Sequence, residues 1–244
     1  MVTGREDDAN RRVLFAVSHG TDSPAGQVAI KRLVEAVRVT DPRIVVRAGF
    51  VDVQKPTVSH LIGALGGAED AVIVPLLLTA GFHVRVDLAD SIRLVRPGRI
   101  VLADALGPDQ RLASVLVRRL REIGVTAEDR VVLAAAGSSD DRAVADCRVM
   151  AEMLAAELGM PVTIGFLSAA SPSLPAALQS ARELSQGVGR VLVSTFLLAP
   201  GYFFDRVRSS GADLVTPPLL EEFGDVAGEL VAVVLDRYRS SLPA

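Results

Sequence analysis

Short unbroken apolar runs alternate along this chain with longer stretches whose apolar residues recur every three to four positions. In the first half the runs predict strands at 13–18, 44–51, 71–77 and 99–104. The periodic stretches predict helices at 25–39, 57–66, 84–94 and 109–123. The second half repeats the alternation, with strands expected at 130–136, 162–168, 190–196 and 212–216. Its helices are expected at 140–158, 173–186, 202–210 and 221–240. Runs apolar at every position fit strands covered on both faces, and a helix between successive strands requires a crossover. The expectation is an α/β chain of two tandem, similar, doubly wound lobes, each with a four-stranded parallel sheet and with a cleft between them. The first lobe is assigned to 1–125 and the second to 126–244, joined near "GVTAEDR" (124–130).

The halves are also related residue by residue. A shift of 117 positions carries "SHG" at 18–20 onto "AAG" at 135–137. A shift of 116 aligns Phe50 with Phe166, Pro56 with Pro172 and Asp52 with Ser168. A shift of 120 aligns Gly81–Phe82–His83 with Gly201–Tyr202–Phe203. The frame persists while two imidazoles and a carboxylate are lost. Chemistry is therefore expected in the first half, and the second is read as a degenerate repeat without metal ligands.

Composition narrows the class. Half of the 244 residues are hydrophobic, enough for a core in each half, and tryptophan is absent. A net charge of −3 argues against nucleic-acid binding by bulk charge. The single cysteine, Cys147, excludes an internal disulfide and is read as a buried helix residue. The polar start "MVTGREDDANRR" has no apolar signal core, and "AVIVPLLLTAGF" (71–82) is too short to span a bilayer. A cytoplasmic protein without a membrane partner is expected.

Two segments combine a strand end, a glycine pivot and a histidine. "HGTDS" (19–23) ends a strand, with Thr21, Asp22 and Ser23 as capping types ahead of Pro24. Taken alone it also reads as an ordinary capped loop. "TAGFHVRVD" (79–87) places His83 and Asp87 four residues apart, one helical turn. In a parallel sheet both segments fall at the carboxyl ends of strands, where ligands bind. With Asp52 they offer two imidazoles and a carboxylate, a donor set suited to Fe²⁺, Co²⁺ or Zn²⁺ and too small for a closed structural site. His60 is expected on a helix with no partner, and "GYFF" (201–204) in the core or as an apolar wall. No GxGxxG follows the first strand, and neither a GxxxxGK[ST] loop nor a GxSxG elbow occurs.

"VSHGT", "FVDVQKPTVSHLI", "VIVPLLLTAGFHVRVDL" and "ALGPDQRLASVLVRRL" (105–120) resemble, in order, motifs of the sirohydrochlorin chelatases, the metal-independent class II tetrapyrrole chelatases. The resemblance covers nearly the whole chain and is strongest over 13–120. It implies a lyase that inserts a divalent metal, Fe²⁺ in preference to Co²⁺, into sirohydrochlorin for sirohaem or cobalamin synthesis. His19 and His83 match the family's histidines, and Asp52 stands where the family carries a glutamate. Lys55 stands where a second acidic residue is frequent. By the same resemblance His19, His83 and Asp52 hold the metal and carry the reaction. Ser18, Gly20, Thr21, Gly81 and Arg85 meet the carboxylate-rich substrate, with Arg47 and Arg206 as further cations. No organic cofactor is implied, the metal itself being a substrate, and the chain is expected as a monomer or homodimer. Rival readings are a protohaem-type ferrochelatase, a noncatalytic tetrapyrrole or metal carrier, and a binding-protein-like sensor.

Overall fold

The computed structural model describes residues 12–66, 70–79, 81 and 100–242. The first sheet has the order β2-β1-β3-β4, all parallel, from β1 (Val13–Ser18), β2 (Val46–Phe50), β3 (Ala71–Pro75) and β4 (Ile100–Leu102). Every residue of β1 and β3 is buried, the signature of central strands covered on both faces. The second sheet repeats this order as β6-β5-β7-β8, from β5 (Arg130–Ala135), β6 (Val162–Phe166), β7 (Val191–Phe196) and β8 (Leu214–Val215). The expected pair of four-stranded parallel lobes is what the chain forms.

Among the described helices, α1 (Pro24–Thr40) follows β1 and α2 (Val58–Gly63) follows β2. They cover opposite faces of the first sheet. Leu14 and Ala16 point to the core shared with α1, while Phe15 and Val17 meet Val58, Leu61 and Ile62 of α2. The remaining described helices are α3 (Gln110–Glu122), α4 (Asp141–Leu158), α5 (Leu174–Ser185), α6 (Tyr202–Arg208) and α7 (Gly228–Ser240). Polar caps set the starts of α1, α3, α4 and α5: Ser23, Asp109, Asp140 and Ser173 each accept a backbone N–H from the first turn.

The last helix of each half packs against the other half. α3 lies on α4 and β7, whereas α7, the final described helix, lies on β3, α1 and α3. One core accordingly runs through both lobes, from Leu14 and Leu33 to Leu133, Met150 and Val234. Arg237 of α7 closes the exchange by donating to the carbonyls of Ala105 and Leu106 and to the Asp109 carboxylate.

Several expected elements are shorter than the pattern implied, and for two of them the structure shows the cause. The helix expected over 221–240 begins at Gly228. Gly224 is left-handed at φ +83°, and the Arg32 guanidinium holds the carbonyls of Glu222 and Gly224, so this stretch is a loop pinned to α1. The strand expected over 44–51 spans 46–50, because the Ile44 N–H bonds back to Asp41 in a turn. The helix expected over 84–94 lies outside the described residues.

Candidate active site

In a sheet of order 2-1-3-4 the crossovers leave in opposite directions from β1 and β3. The crevice beyond the carboxyl ends of those two strands is where such sheets bind ligands. His19 is the first residue after β1, and its side chain is exposed. The segment after β3 leads through Gly81 towards His83. His83, Arg85 and Asp87 lie outside the described residues.

The backbone joins His19 to the loop after β2. The Val51 N–H donates to the Ser18 carbonyl at 3.0 Å, and the Asp52 N–H donates to the His19 carbonyl at 2.9 Å. These bonds extend the β1–β2 ladder past its regular end and set Asp52 beside His19. The Asp52 Oδ1 accepts the next N–H, that of Val53, at 2.7 Å. Among the described residues nothing donates to Oδ2, and the side chain is exposed.

Gly20 makes the approach possible. It has φ +97°, and a Cβ there would lie 2.1 Å from the Asp52 carbonyl oxygen. Thr21 is half-buried and ties the loop together. Its N–H donates to Gln54 Oε1 at 3.0 Å, its carbonyl accepts from Gln27, and its Oγ1 accepts the Ser23 N–H. Ser18 is 5 % exposed, and its hydroxyl has no partner among the described residues. Gly81 faces the second lobe, where a Cβ on it would stand 3.0 Å from Ser138 Oγ.

The same backbone construction recurs in the second lobe with different side chains on it. The Leu167 and Ser168 N–H groups donate to the carbonyls of Ala135 and Ala136, both at 3.0 Å. Gly137 has φ +89°, and a Cβ on it would lie 1.9 Å from the Ser168 carbonyl oxygen. Left-handed Val53 and Ala169 correspond, as do the X–Pro bonds before Pro56 and Pro172. The geometry thus equates His19 with Ala136, Asp52 with Ser168 and Gln54 with Ala170. Ala136 and Phe203, the counterparts of the two histidines, pack against the second lobe's apolar cluster. Phe204 joins them there, so "GYFF" lies against the core with Phe203 and Phe204 half-buried and Tyr202 exposed.

The remaining candidates separate. Arg47 lies mid-strand, paired with Phe15, three residues before the end of β2 and about 10 Å below the rim. Strand rise thus sets its backbone apart from that of His19 and Asp52. Arg206 lies on α6 with its guanidinium over the Tyr202 ring. His60 is exposed on α2 and its N–H donates to the Thr57 cap. Cys147 is buried, and burial, with the Asp146 charge, pushes its thiol up to about 11, against a lesser opposing bond from Thr79. Among the described residues no group of three His, Cys, Asp or Glu side chains converges as a metal site. Gln54, which locks the His19 loop to the Asp52 loop, was not singled out from the sequence. Its signal was available: it is a polar residue in the first half where the second half has Ala170.

The fold defines a two-lobed α/β protein built from two similar parallel sheets. The CbiX family model matches residues 13–123 and again 130–215, and the chain belongs to that family. It is 27 % identical over 221 residues to the sirohydrochlorin ferrochelatase of Priestia megaterium, covering 87 % of this chain and 82 % of that one. Over 89 residues it is 37 % identical to the sirohydrochlorin cobaltochelatase of Saccharolobus solfataricus, covering 32 % of this chain and 70 % of that one. Among solved structures, SirB from Bacillus subtilis with Fe³⁺ superposes with a TM-score of 0.80 at 22 % identity, over 95 % of this chain and 96 % of that chain. A structure of CbiX, described as the terminal enzyme of sirohaem biosynthesis in denitrifying bacteria, gives 0.68 at 18 % identity, over 95 % of this chain and all of the other. No helix among the described residues is long and apolar enough to cross a membrane.

Proposed function

We propose that the chain is a metal chelatase that inserts a divalent metal ion into sirohydrochlorin, with His19, His83 and Asp52 as the residues that hold the metal and move its protons. One observation carries the reading. The two lobes share a backbone construction at the same strand ends, and only the first carries His19, Asp52 and Gln54 on it. A scaffold that folds equally well with Ala136, Ser168 and Ala170 does not need those side chains for folding. Ferrochelatases and cobaltochelatases among the relatives support the reaction class.

Metal insertion breaks two pyrrolic N–H bonds as four nitrogen–metal bonds form, so the site must deliver a cation and remove two protons. Imidazole is suited to both tasks, since it binds borderline divalent ions and accepts a proton near neutral pH on releasing them. The Asp52 Oδ2, which meets no donor among the described residues, supplies a second acceptor beside His19. Ser18, Gly20, Thr21, Gly81 and Arg85 are assigned to the substrate's carboxylates. Fe²⁺ is favoured over Co²⁺ because the chain has three histidines in all and no histidine-rich tract for cobalt. The test is anaerobic incubation of the protein with metal-free sirohydrochlorin and Fe²⁺, Co²⁺ or Ni²⁺, followed by visible absorbance. Metallated product must form faster than without protein. A bound, unmetallated macrocycle would indicate a carrier instead.

A further inference from the structure

The repeat replaces Gly81–Phe82–His83 with Gly201–Tyr202–Phe203, and the aromatic residues after Gly201 have different fates. Phe203 and Phe204, both half-buried, pack against the second lobe's core. Tyr202, the first residue of α6, is 71 % exposed. One helical turn on, Arg206 places its guanidinium carbon 5.8 Å from the Tyr202 ring centroid. No carboxylate among the described residues pairs with Arg206. Tyr202 touches the core only through its neighbour Phe203, whose ring centroid is 5.5 Å away, and its own ring stays in solvent with Arg206.

Its position gives it a use. The turn leading into α6 abuts the loop that carries His19. The Pro200 carbonyl oxygen stands 2.4 Å from where a Gly26 side chain would begin, and a Gly201 Cβ would lie 3.5 Å from Thr21 Oγ1. Tyr202 therefore starts on the second lobe directly across from the His19 rim. We infer that Tyr202 and Arg206 form a docking element for the metal-free macrocycle. The ring stacks against its conjugated surface, and the guanidinium binds a peripheral carboxylate. A flat, polarisable, anionic ligand matches both members: aromatic rings stack offset on conjugated planes, and a guanidinium meets a carboxylate with paired donors. The second lobe, stripped of metal chemistry, thereby holds substrate over the first. The inference rests on the proposed chelatase function.

The test compares Tyr202→Leu, Tyr202→Phe, Arg206→Gln and Arg206→Lys with wild type. Fluorescence quenching measures binding of metal-free sirohydrochlorin, and absorbance measures anaerobic insertion. Tyr202→Leu and Arg206→Gln should each weaken binding and raise KM for the macrocycle about three- to tenfold. The KM for metal and the kcat should stay within about twofold. Tyr202→Phe should retain the wild-type values and Arg206→Lys recover part of the loss. Wild-type affinity in both Tyr202→Leu and Arg206→Gln, with wild type active, would overturn this inference and leave the chelatase reading intact. If the wild type neither binds nor metallates sirohydrochlorin, the proposed function fails first and this inference with it.

Discussion

Alanine at Gly20 and at Gly137 makes a matched pair of perturbations. At Gly20 the added Cβ would sit 2.1 Å from the Asp52 carbonyl oxygen at φ +97°, and at Gly137 1.9 Å from the Ser168 oxygen at φ +89°. Such contacts demand a shift of about 1 Å, and a left-handed non-glycine residue costs about 1–3 kcal/mol. Each variant should therefore lose about 2–3 kcal/mol, a fall of roughly 4–12 °C in Tm for a chain of this size. The stability losses should be alike, because the two cradles are alike. The catalytic losses should not. Gly20→Ala pushes apart the loops that carry His19 and Asp52, and a displacement of about 1 Å costs on the order of 100-fold in rate. Gly137→Ala displaces Ala136 and Ser168, which carry neither an imidazole nor a carboxylate. Thermal melting and anaerobic metal insertion, assayed well below both melting temperatures, separate the two effects. Equal losses of turnover in the two variants, or normal turnover in Gly20→Ala, would refute the argument that the Gly20 cradle positions the site.

Three further outcomes are expected. Asp52→Asn should slow insertion less than loss of His19, since water can still relay protons; an unchanged rate would remove Asp52 from the site. The Arg43 hydrogen bond, opposed by burial and reinforced by Arg239, lowers Asp41 from 3.8 to about 2. Its folded-state pKa is depressed, so its contribution is present above about pH 4 and fades as pH falls towards 2. The difference in urea midpoint between wild type and Asp41→Asn should thus be largest near neutrality and close at low pH, and a constant difference would contradict the assignment. Truncation before Gly228 removes six buried side chains of α7, about 9 kcal/mol of apolar burial, comparable to a whole domain's net stability. Far-UV circular dichroism should show that the first lobe does not fold cooperatively without it. We propose on this ground that the division near residue 125 separates repeats, with folding shared across it through α3 and α7.

Much of this architecture was legible in the sequence for a physical reason. Strands buried on both faces leave unbroken apolar runs, so β1, β3, β5 and β7 were visible within two residues of their ends. The repeat frame was equally visible, and the paired left-handed glycines and equivalent ladder extensions follow the shifts read from the sequence. What periodicity does not encode is which sheet a helix covers. The apolar face of α7 reads the same on either lobe, and its docking on β3 is decided by long-range partners such as the Ala105 and Leu106 carbonyls. The loop at 221–227 was missed because a left-handed glycine and a guanidinium on two carbonyls outweigh a weak helical pattern. Gln54 was missed because a side chain that accepts one backbone N–H leaves no periodic mark.

The central claim is that the histidines of the first lobe carry metal into the macrocycle. Initial rates of Fe²⁺ or Co²⁺ insertion into sirohydrochlorin, followed anaerobically by visible absorbance for wild type and His19→Ala, test it most directly. His19 is exposed at a strand end whose repeat counterpart is Ala136, so the substitution should leave the melting temperature near that of wild type. The rate should fall to that of the reaction without protein. A correctly folded His19→Ala variant that inserts metal at the wild-type rate would contradict the account.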